Sequence, residues 1–535
     1  MRQPCDEGVV RAGKGVVPCT EKSRPWVLVA TILGSSMAFI DGTVVNVALP
    51  ALQSSLHATV VDVQWVVESY GLFLSALILV GGALGDYLGR RTIFLLGVSA
   101  FGAASAGCGF SFSIPTLVIW RSLQGLAAAF LVPGSLAIIS TSFDEKSRGS
   151  AIGTWSGFTA ITTALGPVLG GWLIEHASWH WVFFINVPLA VLAIAISLWH
   201  VPESRNRNTS RIDWLGASLA TVGLTGLVYG FLESTSLGWN HPRVVGSLLL
   251  GFVSLVMLVL AERTARAPML PLDLFKTPSF SGANLLTLFL YAALGIFFFL
   301  FPLNLIQIQK YSATKTGAAA LPAILLIFFL SRWSGGLVTR YGPKIPLIVG
   351  PLITAAGFML FTIPSVGANY WTTLFPGFLV IGFGMAVSVA PLTTVVMTSV
   401  EQDRAGTASG INNAVARVAG VLAVAVLGAV MIAAFAHSLR DSLVGLHLDS
   451  NLLTDLESNA VKLGNLGVPE NADMKQRIQI AIEQAFVFGF RIVMVICAAL
   501  ATMSAAVACW MIPSGEAKMV GHVGRVAIGH NMSRA

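Results

Sequence analysis

Charge is what this sequence has least of. Asp, Glu, Lys and Arg make up 11% of its 535 residues, where soluble globular domains carry about 25%. With an apolar fraction of 55%, that shortage leaves too little polar surface to cover a soluble fold of this length. It excludes a soluble enzyme, a disordered chain and a collagen-like rod. Cysteine is equally scarce. Cys5, Cys19, Cys108, Cys497 and Cys509 form neither a metal spacing nor a disulfide framework, and are expected to be structural filler. No G-x-x-x-x-G-K-[ST] loop and no soluble domain to hold one are present, so ATP-driven machinery has no place in the chain. His176 and His180 are the only close histidine pair and lack further ligands, which argues against a membrane enzyme. The first 24 residues lack the apolar core of a signal peptide, and the first long apolar run is expected to act as an uncleaved signal-anchor.

Long apolar runs are what the chain has instead. A bilayer-spanning helix needs about 20 mostly apolar residues. That ruler gives fourteen segments, near 26–50, 64–86, 92–112, 116–140, 149–174, 181–201, 214–233, 243–262, 281–304, 315–339, 344–364, 370–398, 405–435 and 484–512. The expected class is an all-α polytopic membrane protein, because lipid leaves backbone hydrogen bonds to be satisfied internally. We call the side of the N-terminal tail side one. Alternating the spans puts 21 of the 32 Lys and Arg residues in side-one tails and loops, and only Arg243, Lys310 and Lys315 in the short loops of side two. Side one is therefore expected to be cytoplasmic, with both termini there. The net charge of +7 is largely this asymmetry rather than a sign of nucleic acid.

Two stretches match at a nearly constant offset. Gly82, Leu84, Gly89 and Arg91 have counterparts in Gly335, Leu337, Gly342 and Lys344; Arg148 has one in Arg404 and Pro133 in Pro391. A duplicated six-helix unit with two inserted helices accounts for this. The expected divisions are a tail (1–25), a first half (26–201), a linker with helices 7 and 8 (202–280), a second half (281–512) and a C-terminal tail (513–535). The side-two loop 436–483 carries apolar residues at helical spacing (Leu452, Leu453, Leu456; Met474, Ile478, Ile480, Ile482) and is expected to form short amphipathic helices.

A charged side chain inside a span costs about 2.5–3.5 kcal/mol and is a functional candidate by default. Asp41 and Glu68 are the acids well inside first-half spans, and Arg121 is the base. At a rise of about 1.5 Å per residue they lie roughly 13, 6 and 8 Å from the side-two ends of their spans. One Arg and two carboxylates at similar depth are expected to share one cavity as a proton and cation site. Arg417 lies roughly 18 Å in from side one by the same rise, either paired with a carboxylate or holding an anionic group. Arg332 and Arg491 are near span edges and are expected to snorkel. Phe297, Phe298 and Phe299 are expected to face lipid.

Three further segments have a pattern. Gly82-Ala-Leu-Gly85-Asp86-Tyr-Leu-Gly89-Arg90-Arg91 places an acid at a membrane edge before a tight basic turn, suiting a conformational latch; Gly166-Pro167-x-x-Gly170-Gly171 combines small residues with a helix-bending proline; and Asp41 opens the run DGTVVNVALP, which includes Asn46. The first resembles the G-x-L-A-D-x-x-G-R-[RK] signature of the major facilitator superfamily, with Gly85 and Tyr87 departing from it and Thr339 replacing the acid in the second copy. Together with Arg121…Gln124-Gly125, these runs resemble the fourteen-helix drug:proton antiporters of the EmrB/QacA type. The resemblance implies a major facilitator fold of 6 + 2 + 6 helices in the cell membrane. It implies proton-driven export of lipophilic compounds without a cofactor, and a periplasmic adaptor only in a two-membrane bacterium. Asp41 would bind proton or cationic substrate, Arg121 would assist proton transfer, Asp86 with Arg90 and Arg91 would gate, and Gly166–Gly171 would set exchange. Export of a dedicated metabolite or an anion stands as the alternative.

Overall fold

The computed structural model describes residues 23–513, apart from 144, 205–212, 266–267, 269, 401–404, 445–462 and 464–471. The described chain is helical throughout: α1 (Arg24–Ser55), α2 (Val60–Leu88), α3 (Arg90–Gly109), α4 (Ile114–Ser142), α5 (Glu145–His176), α6 (Trp181–Phe184), α7 (Asn186–His200), α8 (Trp214–Leu237), α9 (Pro242–Thr264), α10 (Pro278–Leu303), α11 (Ala313–Ala319), α12 (Leu321–Tyr341), α13 (Lys344–Leu360), α14 (Phe375–Thr398), α15 (Ala405–Val444) and α16 (Ala472–Met511). Local chemistry sets several starts. Proline occupies one of the first two positions of α1, α4 and α9, where its missing N–H costs nothing. Thr59 and Asp62 close a reciprocal capping box on α2, with Asp62 N–H donating to the Thr59 hydroxyl (3.1 Å) and Thr59 N–H to the carboxylate (2.7 Å).

Each expected span falls on helix, but with differences. Twelve helices among the described residues are long and apolar enough to cross a membrane. Helix α13 is apolar but has 17 residues, and α5 is not among the twelve. The segment 181–201 is two helices broken at Ile185, and 315–339 spans the α11–α12 junction. The side-two loop is shorter than expected: α15 and α16 each run 40 residues, so Met474, Ile478, Ile480 and Ile482 belong to the first turns of α16 rather than to a separate helix. Leu452, Leu453 and Leu456 lie outside the described residues.

Helices α1–α7 pack largely on one another, as do α10–α16; the groups meet where α1 touches α10, α2 touches α15 and α5 touches α11 and α12. The pair α8–α9 is held by a close approach of Gly226 to Gly251, and α8 alone lies against α2 and α15. The apolar side chains of α9 are largely exposed, Phe252 at 63%, as suits a helix facing lipid. Phe297 and Phe299 are buried, contrary to the lipid contact expected of them. Phe297 stacks on Phe301 (5.4 Å between centroids) and meets Phe358, Phe361 and Phe378 edge-on, so α10, α13 and α14 share an aromatic core. Edge-to-face ring pairs add about 0.5–1.5 kcal/mol to the burial of the rings themselves.

Candidate functional site

Asp41 of α1 and Arg121 of α4 are both buried and form an ion pair at 2.5 Å. The rest of the site closes around them. The same guanidinium nitrogen donates to Gln124 Oε1 (2.7 Å), and Arg121 Nε donates to the Val66 carbonyl of α2 (3.0 Å). Gln124 lies one helical turn after Arg121, so both reach the same carboxylate. Its amide donates to Asp41 Oδ1 (2.8 Å) and to Ser105 Oγ of α3 (2.7 Å), and Asn186 of α7 adds a longer donor to Oδ1 (3.4 Å). The Tyr70 ring lies 4.3 Å from the guanidinium carbon, a cation–π contact on a desolvated cation. Five helices thus contribute to one centre, with donors from α4 and α7 on the carboxylate itself. The close approach of α2 to α4 needs Gly125, because a Cβ there would strike the Tyr70 backbone.

The network separates the expected site residues. Asp41, Arg121 and Gln124 are brought together. Glu68 is not part of the group, although it lies at a similar depth: both its carboxylate oxygens are buried with no hydrogen-bond partner among the described residues. Val66 and Tyr70 turn towards Arg121, and Glu68, two residues from each, is about 200° round the helix from both. Equal depth does not bring two side chains together when they leave opposite faces. Asn46 is also outside the cluster, donating only to the Gly42 carbonyl of its own helix (3.4 Å). Arg417 of α15 is half-buried, one turn before Val421, on the face that α15 turns to α2.

The glycine–proline segment of α5 faces two ways. A Cβ on Gly166 or Gly170 would strike Thr43 or Val44 of α1, while one on Gly171 would meet the Ala313 carbonyl at the start of α11. From the other direction, a Cβ on Gly317 would run into the Pro167 carbonyl. The same junction carries Glu175, whose carboxylate accepts from Thr314 N–H (3.1 Å) and Thr314 Oγ1 (2.6 Å). Hydrogen bonds from Ser312 and Thr314 hold this carboxyl below its ordinary range. Beside it, Gln307 donates to Gln53 (2.7 Å). A cavity of about 350 Å³ remains on side two, lined by Val47, Pro50, Ala51, Ile174, Gln307 and Lys310.

At the α2–α3 turn, the side chain of Asp86 lies outside the described residues. Gly89 takes φ 121°, and Glu203, which follows α7, fills the space beside it. Its carboxylate accepts from the N–H groups of Arg91 (3.2 Å) and Thr92 (3.1 Å), an anion at a helix N-terminus. Arg91 donates to the Val201 carbonyl (3.2 Å). Arg491 donates to the carbonyls of Ile363 (3.3 Å) and Pro364 (3.2 Å), so it ties α16 to the chain after α13 rather than only snorkelling. Reading the sequence missed Tyr70, Ser105, Asn186, Glu175 and Glu203. Asn186 was the most findable, as a lone amide in the apolar run FFINVPLAVLA.

Comparison with known proteins agrees with this architecture. The model of the Major Facilitator Superfamily matches residues 31–424. The Tetracenomycin C resistance and export protein of Streptomyces glaucescens is 34% identical over 77% of this chain and 76% of its own length. The Multidrug resistance protein Stp of Mycobacterium tuberculosis is 32% identical over 88% and 89%. Among solved structures, a bacterial homolog to the human lysosomal transporter Spinster superposes with a TM-score of 0.63 at 17% identity, over 92% of this chain and 98% of that one; this likeness speaks for the fold. With a helical bundle throughout, a family match over most of its length and relatives this similar across most of theirs, the chain belongs to the major facilitator superfamily.

Proposed function

We propose that this multi-pass membrane protein is a proton-coupled efflux transporter for lipophilic cationic or neutral compounds, working by alternating access. The observation that carries the reading is the buried Asp41–Arg121–Gln124 centre, in a chain whose relatives are named for drug resistance and export. Every Asp41 oxygen is already occupied by a donor. A proton arriving at Oδ2 displaces the Arg121 N–H, so protonation there and release of Arg121 are a single event. A cationic substrate competes for the same carboxylate. The tight α5–α11 contact closes side two, and rearrangement of the centre through α1, which α5 packs on, is the route by which that closure is relieved.

The same reading places fourteen spans in a 6 + 2 + 6 arrangement of the EmrB/QacA type, with α5 and α13 as spans beside the twelve apolar helices and both termini in the cytoplasm. The gradient supplies the work without a cofactor. A proton crossing 100 mV delivers about 2.3 kcal/mol, and each pH unit about 1.4 kcal/mol. The direct test is dye efflux from inverted vesicles under an imposed pH gradient across several chemotypes. Asp41→Asn should abolish the gradient-driven component, and undiminished coupling in that variant would sink the proposal.

A second reading is export of a dedicated metabolite or an anionic compound. Arg417 favours it, since it brings a cation from the second group of helices to the face that α15 turns to α2. A substrate panel with competition separates the two, and Arg417→Gln should impair anionic substrates selectively only under this second reading.

A further inference from the structure

Glu68 is 1% exposed, and neither carboxylate oxygen has a hydrogen-bond partner among the described residues. Its position on α2 is set by its neighbours. Gln64, one turn before, donates to the Val424 carbonyl of α15 (3.3 Å), and Gly71, one turn after, lies against Val421 of the same helix. Trp65 meets Tyr229 of α8 at a tilt (6.1 Å between centroids) and donates to Glu233 there (3.4 Å). Residues three and four apart share a helix face. Glu68 therefore looks into the seam where α2 of the first half meets α15 of the second, beside the inserted helix α8.

The charged and titratable groups of the surrounding helices are otherwise engaged or make no bond to this carboxylate. Asp41 of α1 and Arg121 of α4 are closed on each other across α2, and Cys108 of α3 lies against Gln124 in that same cluster. Arg417 of α15 lies one turn before Val421 and so on the same seam, but it makes no hydrogen bond to the Glu68 carboxylate, and Tyr229 and Glu233 of α8 are taken up with Trp65. An ionised carboxylate left unpaired in an apolar interior is far too costly to persist, and such a group carries its proton instead.

We infer that Glu68 is a second proton-binding carboxyl, independent of the Asp41 centre, which holds its proton while the α2–α15 seam is packed and gives it to water when the seam opens. The step is a simple O–H dissociation, with the proton taken from and returned to solvent. Its place in the cycle follows from the architecture: α2 and α15 belong to different halves, so any rocking of one half against the other changes the solvation of this one side chain. The inference rests on the proton-coupled reading and deepens it, because two separated carboxyls give a route to moving more than one proton per substrate, which recruits the membrane voltage even when a monovalent cation leaves.

The test uses the full chain in proteoliposomes, with ethidium as probe and simultaneous recording of lumenal pH, to give protons moved per ethidium. Glu68→Gln and Glu68→Met should each lower that ratio by one proton, and Glu68→Asp should restore it. Infrared difference spectra of the purified protein between neutral and alkaline pH provide a second measure independent of transport. The C=O stretch of a protonated carboxyl should persist in Asp41→Asn and vanish in Asp41→Asn/Glu68→Met. An unchanged proton ratio in the Glu68 variants, or a carboxyl band that survives their combination with Asp41→Asn, overturns the inference while leaving coupling through Asp41 intact. Wild-type protein that moves ethidium with no response to the pH gradient overturns the coupled reading itself, and the infrared band then still decides whether Glu68 holds a proton. A Glu68 variant that folds by size-exclusion chromatography but transports nothing is judged by the same band.

Discussion

Arg121 reaches from α4 to Asp41 on α1 at 2.5 Å, with 1% of one side chain and none of the other exposed to solvent. A pair this deeply buried is a poor source of net stability, because desolvating two charges consumes most of what their attraction returns. Removing one partner is another matter. Arg121→Ala leaves a buried carboxylate uncompensated and should cost about 3–5 kcal/mol, read as a lowered midpoint of thermal unfolding in detergent. Asp41→Asn/Arg121→Ala should recover most of that loss while remaining uncoupled. If the double variant is as unstable as Arg121→Ala alone, the ion pair is not what holds α1 to α4.

Gly317 and Gly171 set the closest approach of the two halves on side two, each facing backbone across the α5–α11 contact. Backbone cannot swing aside as a side chain does. Gly317→Ala should therefore penalise the closed contact by about 1–3 kcal/mol, which corresponds to a shift of roughly 5- to 150-fold towards a state open on side two. A thiol placed at Ala51, on the wall of the side-two cavity, in a background lacking the five native cysteines, should react faster with a membrane-impermeant reagent. An unchanged labelling rate would remove this contact from any account of closure.

Glu175 offers a pH signature at the same place. Its carboxyl is held below the ordinary range by Ser312 and Thr314, so the bond to α11 is stronger for the anion. The stabilisation is fully present above the ordinary carboxylate range and is lost only as pH falls through the lowered folded value. Closure on side two should thus be insensitive to mild acid and loosen in strong acid. Glu175→Gln should label at the acid-state rate at every pH. The measurement is the thiol reactivity at position 51 as a function of external pH.

Phe297 sits among Phe301, Phe358, Phe361 and Phe378, with centroid distances from 4.9 to 6.0 Å. Phe297→Ala should cost about 3–5 kcal/mol in detergent, whereas Phe329→Ala, on an exposed ring of α12, should cost little. Equal effects would mean that the aromatic core contributes nothing beyond ordinary lipid contact.

How far the site could be read in advance is clearest from three residues. Asp41 and Arg121 stand out because a charge in an apolar run is rare and costly, and Gln124 stands out through its motif. Glu68 meets the same criterion of rarity, yet grouping it with them used depth alone. Rotation around α2 and the positions of α8 and α15 decide its neighbours, and neither is written in a hydropathy profile. Glu175 and Glu203 carry the opposite lesson. Both lie at span ends, where acids are common, and only the arrival of α11 beside one and α3 beside the other gives them backbone N–H groups to accept from.

The sequence by itself determined that the chain is a helical membrane protein, roughly where its apolar helices run, and which charges are buried in them. These follow from the cost of placing charge or unpaired backbone in hydrocarbon, a cost each segment meets alone. Which buried charges meet was decided by tertiary structure. Asp41 found Arg121 and Glu68 found neither, because contact depends on which face of α2 turns to α4 at the close approach that Gly125 permits, and that geometry is a property of pairs of helices rather than of any one of them.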